Sequence, residues 1–386
     1  SLDPKRRNSA TLVGVSGIPS VPIHRTASDV TLASVERGPV VPSLEGETPV
    51  VQVFDESRDV GAVSAKSMQW DHTLSELSVS DSERTDTDDF SVESTVSLEQ
   101  SLERVHLEPG SLEYIMSTFE EDIDPYDTTM VPEYASDIFR YMRRREVQML
   151  PRADYMADQK ELEWSMRGIL IDWLVQVHQR FRLLPETLFL CINYIDRFLS
   201  LKAVSLDKLQ LVGTTALLVA AKFEEIQVPS VTDFVYMVDY AYNVDEILKA
   251  ERYMVSMLGF DLAFPGPLSF LRRISKADDY DIQTRTLAKY LIEVTIVDER
   301  FLPFTISKIA AAGHYLARRM LAKGPWTDAH VYYSEYTEAM ILPVVDLILD
   351  VLGRPKSHSS IFEKYSDRKF MKASLFVQQW LTAHSA

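Results

Sequence analysis

One segment, MRGILIDWLVQV from Met166 to Val177, constrains the fold of this chain more than any other feature of its sequence. It is apolar on nearly all sides of a helix, as expected for a helix that other helices surround. Two more helical segments follow at regular intervals, NYIDRFLS from Asn193 to Ser200 and KLQLVG…AAKFEEI from Lys208 to Ile226. Alternating strand patterns are almost absent from the chain. The sequence therefore predicts an all-α fold.

Composition limits the classes of protein to which the chain can belong. Its hydrophobic content of 46% and charged content of 25% are typical of a soluble globular protein, and 386 residues give room for about two domains and a tail. No stretch approaches the roughly 20 apolar residues that span a bilayer, and no secretory signal opens the sequence. We therefore expect a soluble, intracellular protein that does not bind membranes.

Charge and cysteine content exclude further classes. The formal net charge of −17 argues against nonspecific binding to nucleic acid and allows binding to a basic partner. Cys191 is the only cysteine, which excludes an internal disulfide and every cysteine-clustered metal site. The sequence also lacks a phosphate-binding loop, a zinc-protease helix and a nucleophile elbow. We expect no enzymatic activity, no cofactor and no metal.

The first part of the chain differs in composition from the rest. Residues 1–110 are rich in Ser, Thr, Val, Pro and Gly, and the run SVSDSERTDTDDFS is too poor in large apolar side chains to bury a core. We predict a disordered, acidic regulatory region there, followed by a linker at 111–130. One pattern within it has the spacing of a nuclear export signal: Leu98, Leu102, Val105 and Leu107. We favour the alternative, a helical turn or two leading into the folded part, and expect the protein in nucleus and cytoplasm.

Helical patterns continue from there to the end of the chain, in two groups. An amphipathic helix, VPEYASDIFRYMRRRE, precedes the first group. The turn FPGP separates the groups and divides the chain into domains at 131–263 and 264–386, although a single large helical domain remains the alternative. The further predicted helices are Pro185–Leu199, Ser205–Phe223, Ser230–Tyr240, Val244–Leu258, Leu268–Ser275, Ile282–Thr295, Pro303–Leu321, Ser334–Val351 and Ser359–Tyr365.

Residues from about 125 to 381 resemble a B-type, mitotic cyclin. The first helical group matches the central motifs of that family almost residue for residue, and FPGPLSFLRRISKADDY with TRTLAKYLIE is most similar to the fungal mitotic cyclins. The resemblance implies two consecutive cyclin-box domains. It also implies a regulatory subunit that binds a cyclin-dependent protein kinase, activates it allosterically at the G2/M transition and recruits its substrates.

The resemblance assigns a kinase-binding surface. Lys222 matches the lysine that donates to carbonyls of the kinase helix, and Glu251 matches the glutamate that accepts from its amides or basic groups. Without the family, these two would be read as solvated charges, and the apolar positions as core. The kinase-binding residues are Tyr134, Ile138, Tyr141, Lys222, Glu251, Phe260 and Leu262.

A second implied surface selects substrates and inhibitors through short leucine-containing docking motifs. Leu206 stands where the animal A-type pattern has an arginine, so the motif preference is expected to differ. The same residues, taken alone, are also typical of a helical core. The docking patch consists of Met166, Ile169, Leu170, Trp173, Gln176, Leu209 and Gln210.

Two charged groups complete the implied sites. Arg272, Arg285 and Lys289 match a pocket of the mitotic class that binds a phosphorylated residue, and two arginines with a lysine suit a phosphate dianion. The alternative is that they are ordinary surface charges or ion-pair partners of nearby aspartates. Arg167 and Asp196 match a structural ion pair that holds two box helices together.

The resemblance leaves two alternatives open. One is an A-type, S-phase cyclin, and the other is a general transcription factor with two cyclin-like repeats, which would bind DNA and present a basic surface. The acidic charge and the kinase-binding residues favour the cyclin. The implied partners are a cyclin-dependent kinase, substrates and inhibitors with docking motifs, phosphorylated regulators and the ubiquitin ligase machinery, without nucleic acid.

Overall fold

The computed structural model describes residues 108–120, 132–354 and 359–384. This part of the chain forms α-helices and short 3-10 helices and contains no β-strand, which confirms the all-α prediction there. The chain before residue 108, with the export pattern at Leu98, Leu102, Val105 and Leu107, lies outside the described residues. The helices are α1 (Leu112–Thr118), α2 (Pro132–Gln148), α3 (Trp164–Phe181), α4 (Pro185–Leu201), α5 (Leu206–Glu224), α6 (Val231–Met237), α7 (Val244–Met257), α8 (Pro267–Ile274), α9 (Ile282–Val294), α10 (Ile306–Met320), α11 (Asp328–Ser334), α12 (Glu338–Leu352), α13 (Ser359–Ser366) and α14 (Ala373–His384).

Helix α1 lies within the segment predicted as a linker. Ser111 caps it by accepting a hydrogen bond from the Tyr114 amide at 3.2 Å, and Ile115 is buried. The ring of Phe119 stacks on Tyr332 of α11 with their centroids 4.5 Å apart. So short a helix depends on these contacts more than on its own propensity, and its sequence alone gives little signal.

The first helical group consists of α3 to α7. Helix α4 has twelve buried residues among its seventeen, and α5 is buried along most of its length. Gly213 of α5 allows α3 to approach, because a Cβ at this position would lie 2.8 Å from a methyl group of Leu170. Helix α6 ends at Met237, before the predicted end at Tyr240, since Asp239 and Tyr240 adopt left-handed backbone conformations.

The second helical group consists of α8 to α14. The helix predicted over Ser334–Val351 corresponds to α12, which begins four residues later, at Glu338, and ends at Leu352, whereas α11 before it was not predicted. Glu335 takes a left-handed conformation with φ of 60°, and Thr337 occupies the cap position of α12. Helix α14 was not predicted. None of the described helices is long and apolar enough to cross a membrane.

Helix α2 links the two groups. Its Arg145 forms an ion pair with Asp261 at the end of the first group. Its Glu146 is 2% exposed and accepts two hydrogen bonds from Ser307 of α10, from the amide at 2.8 Å and from the hydroxyl at 2.6 Å. Helix α2 is therefore fixed to both helical groups by side chains at its C-terminal end.

Candidate functional site

Lys222 and Glu251 form an ion pair on the surface of the first helical group. Lys222 lies in the last turn of α5 and Glu251 lies in α7, and the distance from Lys222 Nζ to Glu251 Oε1 is 2.6 Å. The side chains are 44% and 16% exposed. The structure thus brings the two predicted kinase-binding charges together, where both can be reached from solvent.

Four of the predicted kinase-binding residues are large apolar side chains left exposed. Phe260 is 77% exposed, and the α2 residues Tyr134, Ile138 and Tyr141 are 55%, 42% and 53% exposed. The three α2 residues follow each other at helical spacing, so they share one face of the helix. The opposite face contains Phe139 and the buried Glu146. The exposed apolar face is therefore not used in folding the described chain.

Backbone geometry after α7 places Phe260 in solvent. Gly259 and Phe260 are both left-handed, with φ of 64° and 59°, and the Phe260 amide donates to the Val255 carbonyl at 3.0 Å. The next residue, Asp261, is the one that pairs with Arg145 of α2. The turn therefore lies beside α2, which brings Phe260 and the exposed face of α2 to the same region.

Leu262 differs from the other predicted kinase contacts. It is half-buried and packs against the core of the protein. Its carbonyl accepts a hydrogen bond from the Tyr194 hydroxyl at 2.7 Å. Leu262 thus helps to fix the turn after α7, and only part of its side chain is accessible to a partner.

The predicted structural ion pair is present and buried. Arg167 binds Asp196 through two parallel hydrogen bonds, from Nε at 2.7 Å and from Nη2 at 2.8 Å. The Tyr155 hydroxyl donates to the same carboxylate at 2.8 Å, and Arg167 Nη1 donates to the Ile296 carbonyl of the second group at 3.0 Å. Burial, together with the charge of Asp196, raises the pKa of Tyr155, which stays neutral. The pair therefore joins α3, α4 and the second helical group.

The predicted docking patch is only partly a surface. Leu170, Trp173 and Leu209 are 8% exposed or less and pack in the core, so they offer a partner little surface, and their docking role stays a prediction. The burial of Leu170 follows from the tight packing of α3 on α5 at Gly213. The remaining members are accessible at least in part: Ile169 is 54% exposed, Gln176 is exposed, and Met166 and Gln210 are half-buried.

One end of that patch contacts the second helical group. Gln176 Nε2 donates to the Ser360 hydroxyl of α13 at 2.9 Å. Asp172, one turn earlier on α3, accepts from the Ser360 amide at 2.9 Å and from its hydroxyl at 2.6 Å. Helix α13 therefore limits the patch on the Gln176 side, which leaves Ile169 and Met166 as its accessible apolar part.

The structure places two members of the predicted phosphate pocket close together. Arg285 and Lys289 lie four residues apart on α9 and are both half-buried. Burial and the positive charge of Arg285 lower the pKa of Lys289. Arg285 Nε is buried without a hydrogen-bond partner among the described residues. Arg272 is exposed on α8, which packs against α9.

Sequence reasoning missed the role of the arginines in α2. The motif RRR suggested only a favourable interaction with the helix dipole. In the structure, Arg143 pairs with Glu335 at 2.9 Å and donates to the Ser307 hydroxyl at 3.3 Å, and Arg145 pairs with Asp261. Burial raises the pKa of Glu146, which directly follows Arg145 in the sequence. The available signal in the sequence was that Arg143 and Glu146 lie on a different face of α2 from its apolar residues Tyr134, Ile138 and Tyr141.

A buried polar cluster in the second group was also missed. Asp278 accepts from His314 at 2.8 Å, lies 3.3 Å from His330 and is bound by Arg318. In the part of the chain that the structure describes, Asp278, His314 and His330 are the three side chains whose ligand atoms lie close enough together to hold a cation. The guanidinium of Arg318 on the same carboxylate opposes a cation electrostatically. Burial lowers the pKa of both histidines to about 3, so the cluster fits a neutral, hydrogen-bonded connection between helices.

Comparison with protein families finds two matches that follow one another. Residues 137–263 match the N-terminal cyclin domain, and residues 265–379 match the C-terminal cyclin domain. Among solved structures, a viral cyclin from herpesvirus saimiri covers 55% of this chain and 97% of its own with a TM-score of 0.50 and 19% identity. At this identity, the likeness concerns the fold alone.

Curated relatives carry mitotic names. The G2/mitotic-specific cyclin-4 of Candida albicans is 53% identical over 70% of this chain and 57% of its own length. The G2/mitotic-specific cyclin cdc13 of Schizosaccharomyces pombe is 55% identical over 67% of this chain and 54% of its own, and the G2/mitotic-specific cyclin-B of Emericella nidulans is 51% identical over 67% and 54%. The chain thus spans about half the length of the curated relatives it matches.

These matches confirm the two predicted cyclin-box domains and the resemblance to fungal mitotic cyclins, and they favour the B-type reading over the A-type and DNA-binding alternatives. The family models together cover more than half of the chain, and the relatives share about half of its residues over two thirds of its length. The chain belongs to the cyclin family.

Proposed function

We propose that this chain is the regulatory subunit of a cyclin-dependent protein kinase, which it binds and activates at entry into mitosis. The observation that carries this proposal is that the predicted kinase-binding residues are accessible: Lys222 and Glu251 form a solvent-accessible pair, and the apolar side chains of α2 and Phe260 are exposed. Exposed aromatic side chains are typical of the central part of a protein interface, and most charges lie at its rim.

The charged pair is suited to exchange its partners. Lys222 and Glu251 make one contact, and their exposure means that the pair stabilises the free chain only weakly. On binding, Lys222 would donate to carbonyls of the kinase and Glu251 would accept from its amides. Because little energy is lost when the pair opens, most of the new interaction contributes to binding.

The proposed mechanism requires no chemistry from this chain. A kinase transfers phosphate only when its lysine–glutamate pair is formed and its activation loop is in place. A rigid helical surface that holds the glutamate-bearing helix of the kinase would stabilise that arrangement. The anchoring of α2 by Arg145 and Glu146 supports such rigidity, because it fixes the exposed apolar face relative to both helical groups.

Substrate recruitment is the finer part of the proposal. Ile169 and the half-buried Met166 offer an apolar surface for short leucine-containing motifs, and the basic residues of α8 and α9 offer a site for phosphorylated regulators. Contact with the ubiquitin ligase machinery and residence in nucleus and cytoplasm belong to the same proposal, and the export pattern behind the latter lies outside the described residues.

The test of the proposal is kinase activation. The purified chain is mixed with an inactive cyclin-dependent kinase that is already phosphorylated on its activation loop, and phosphate transfer to a basic Ser-Pro peptide is followed. We expect a large activation in the mixture and none with the chain alone. If the mixture shows no binding and no activation, the proposed function is rejected and the DNA-binding alternative is favoured. A DNA-binding assay on the same sample would then test that alternative.

A further inference from the structure

A groove bounded by α1, α2, α8 and α11 is used by none of the surfaces described above. Its volume is about 720 Å³, within the range of roughly 300–1,000 Å³ that is usual for ligand sites. Its charged lining consists of four arginines and one glutamate, although the chain as a whole has a net charge of −17. These residues are Arg140, Arg143, Arg144, Arg273 and Glu335.

Two of the arginines are held in place by the protein. Arg143 pairs with Glu335 at 2.9 Å and donates to the Ser334 carbonyl and to the Ser307 hydroxyl. Arg273 is 8% exposed, and its guanidinium lies 4.4 Å from the centroid of the Phe139 ring. These contacts fix the positive charges of Arg143 and Arg273 at the wall of the groove. Glu335 neutralises part of that charge.

The other two arginines remain available for a ligand. Arg140 and Arg144 are both exposed and lie four residues apart, on one face of α2. Arg140 makes a pair with Asp137 at 3.2 Å in which both side chains are more than two thirds exposed. Arg144 makes no hydrogen bond or ion pair with any residue that the structure describes. An anion could therefore bind both guanidinium groups without breaking a buried interaction.

Apolar side chains lie beside these arginines. Met116 of α1 and Val147 of α2 line the groove and are 38% and 58% exposed. A bare inorganic anion would leave both in water, whereas a peptide could cover them. The lining thus combines a site for negative charge with a site for an apolar side chain.

We propose that this groove binds a phosphorylated peptide of a partner protein, with the phosphate between Arg140 and Arg144 and a neighbouring apolar side chain on Met116 and Val147. Guanidinium groups bind phosphate oxygens through paired hydrogen bonds, and the phosphate dianion carries more charge than a carboxylate. The proposal rests on the proposed function only for the source of the ligand, because the activated kinase produces phosphorylated proteins.

The groove is separate from the predicted phosphate pocket. Arg272 and Arg273 are consecutive on α8, and neighbouring residues on an α-helix point about 100° apart. Arg273 is buried against Phe139 of α2, whereas Arg272 is exposed. A protein phosphorylated at two positions could therefore contact both sites, one on each side of α8.

The experiment measures capture of peptides by the immobilised full chain. Three pools of degenerate peptides are compared, which differ only in a central phosphothreonine, threonine or glutamate. Capture is measured on the unmodified chain and on a variant in which the triad is removed: Arg272→Ala, Arg285→Ala and Lys289→Ala. We expect the phosphothreonine pool to be retained by both proteins, and more weakly as salt is raised.

A second change locates the binding in the groove. Adding Arg140→Ala with Arg144→Ala should lower capture of the phosphothreonine pool by about tenfold or more, since two charge-assisted interactions are lost. Arg140→Lys with Arg144→Lys should reduce it less, because charge remains without the paired geometry. The matched control, Arg180→Ala with Arg319→Ala, removes two exposed arginines from α3 and α10 and should change nothing. Circular dichroism verifies the helical fold of each variant.

Four results would overturn the proposal. They are equal capture of the threonine pool, equal capture of the glutamate pool, no loss on changing Arg140 and Arg144, or capture only after the acidic residues of 121–127 are changed to amides. The last would assign the groove to this chain itself. Kinase activation on an unphosphorylated Ser-Pro peptide is measured on the same samples. Activation without capture rejects the groove alone, while capture without activation supports the groove and rejects the proposed function.

Discussion

Two ion pairs in the first helical group differ sharply in their surroundings. Arg167 and Asp196 are 3% and 4% exposed and share two parallel hydrogen bonds, with Tyr155 and the Ile296 carbonyl as further partners. Lys222 and Glu251 are 44% and 16% exposed and share a single contact. One domain therefore contains one ion pair that is buried and one that is exposed to solvent.

The difference in exposure separates a structural role from a binding role. Breaking the buried pair leaves one charge in a medium that cannot solvate it, which is costly. Breaking the exposed pair costs little, because water replaces the lost partner. Only the exposed pair can therefore give up its internal contact for a partner protein. The comparison predicts that mutations in the two pairs affect different properties.

The largest expected effect on stability comes from the buried pair. Arg167→Ala leaves Asp196 unpaired inside the protein and removes the donor to Ile296, so the free energy of unfolding should fall by about 3–5 kcal/mol. Urea denaturation followed by circular dichroism measures it. Arg140→Ala, which breaks the exposed pair with Asp137, serves as the control and should leave the midpoint nearly unchanged. Equal losses in both variants would remove the distinction between buried and exposed pairs.

Acid should weaken the buried region more than the exposed one. His178 of α3 donates from Nε2 to the Leu184 carbonyl at 2.8 Å, and burial together with Lys364 lowers its pKa from 6.5 to about 4. The unfolded chain therefore binds a proton between pH 6.5 and 4 that the folded chain does not. Its contribution to stability is fully present above pH 6.5 and is lost as the pH falls towards 4, on the order of 3 kcal/mol.

His178→Gln tests this pH dependence. Glutamine keeps a donor for the Leu184 carbonyl and does not titrate, so the slope of the unfolding free energy between pH 4 and 6.5 should decrease. Urea denaturation at a series of pH values gives the slope. A slope identical to that of the unmodified chain would mean that His178 is not held neutral by its surroundings.

The predicted phosphate pocket adds a third charged group to the comparison of the two ion pairs, and all of its members are positively charged. Arg272→Ala, Arg285→Ala and Lys289→Ala together should spare kinase activity on simple peptides and lower it by about tenfold on primed, multiply phosphorylated substrates. The physical reason is that Arg285 and Lys289 repel each other, since burial and Arg285 lower the pKa of Lys289, and a phosphate dianion placed between them would relieve that repulsion. Steady-state phosphorylation rates of both substrate types test this prediction. An equal loss of activity on both would contradict the phosphate-binding role.

The smallest effect is expected for the stability of the exposed pair. Lys222→Ala removes a single solvent-exposed contact, so the free energy of unfolding should change by less than about 1 kcal/mol. Thermal unfolding of the variant, with Arg167→Ala measured alongside, checks this. A loss similar to that of Arg167→Ala would show that the pair is needed for folding and is not free to exchange partners.

Periodicity was sufficient to predict the helices that pack on many sides, such as α3, α4 and α5. It failed where a single residue changes the backbone, as at Glu335 between α11 and α12, because a non-glycine residue in the left-handed region leaves no pattern in the sequence. Short helices held by contacts far along the chain, such as α1 against Tyr332, were missed for a similar reason.

The candidate site was predicted unevenly. Lys222 and Glu251 were identified through family motifs and lie within hydrogen-bonding distance, although nothing in their separation of 29 residues indicates contact. Leu170, Trp173 and Leu209 were predicted to belong to a docking patch and are largely covered, because an apolar residue on a helix gives no sign of how much of its side chain is exposed. The roles of Arg143 and Glu146 depend on Glu335 and Ser307, more than 150 residues away in sequence, and tertiary contacts of that kind cannot be derived from a local pattern.

The most direct test of the exposed pair as a binding surface is a calorimetric titration of the kinase with the unmodified chain and with Lys222→Ala/Glu251→Ala, each checked by circular dichroism. We predict binding by the unmodified chain and loss of measurable binding by the variant, with the helical spectrum and the unfolding midpoint retained. Unchanged affinity in the folded variant would contradict the assignment of this surface to the kinase.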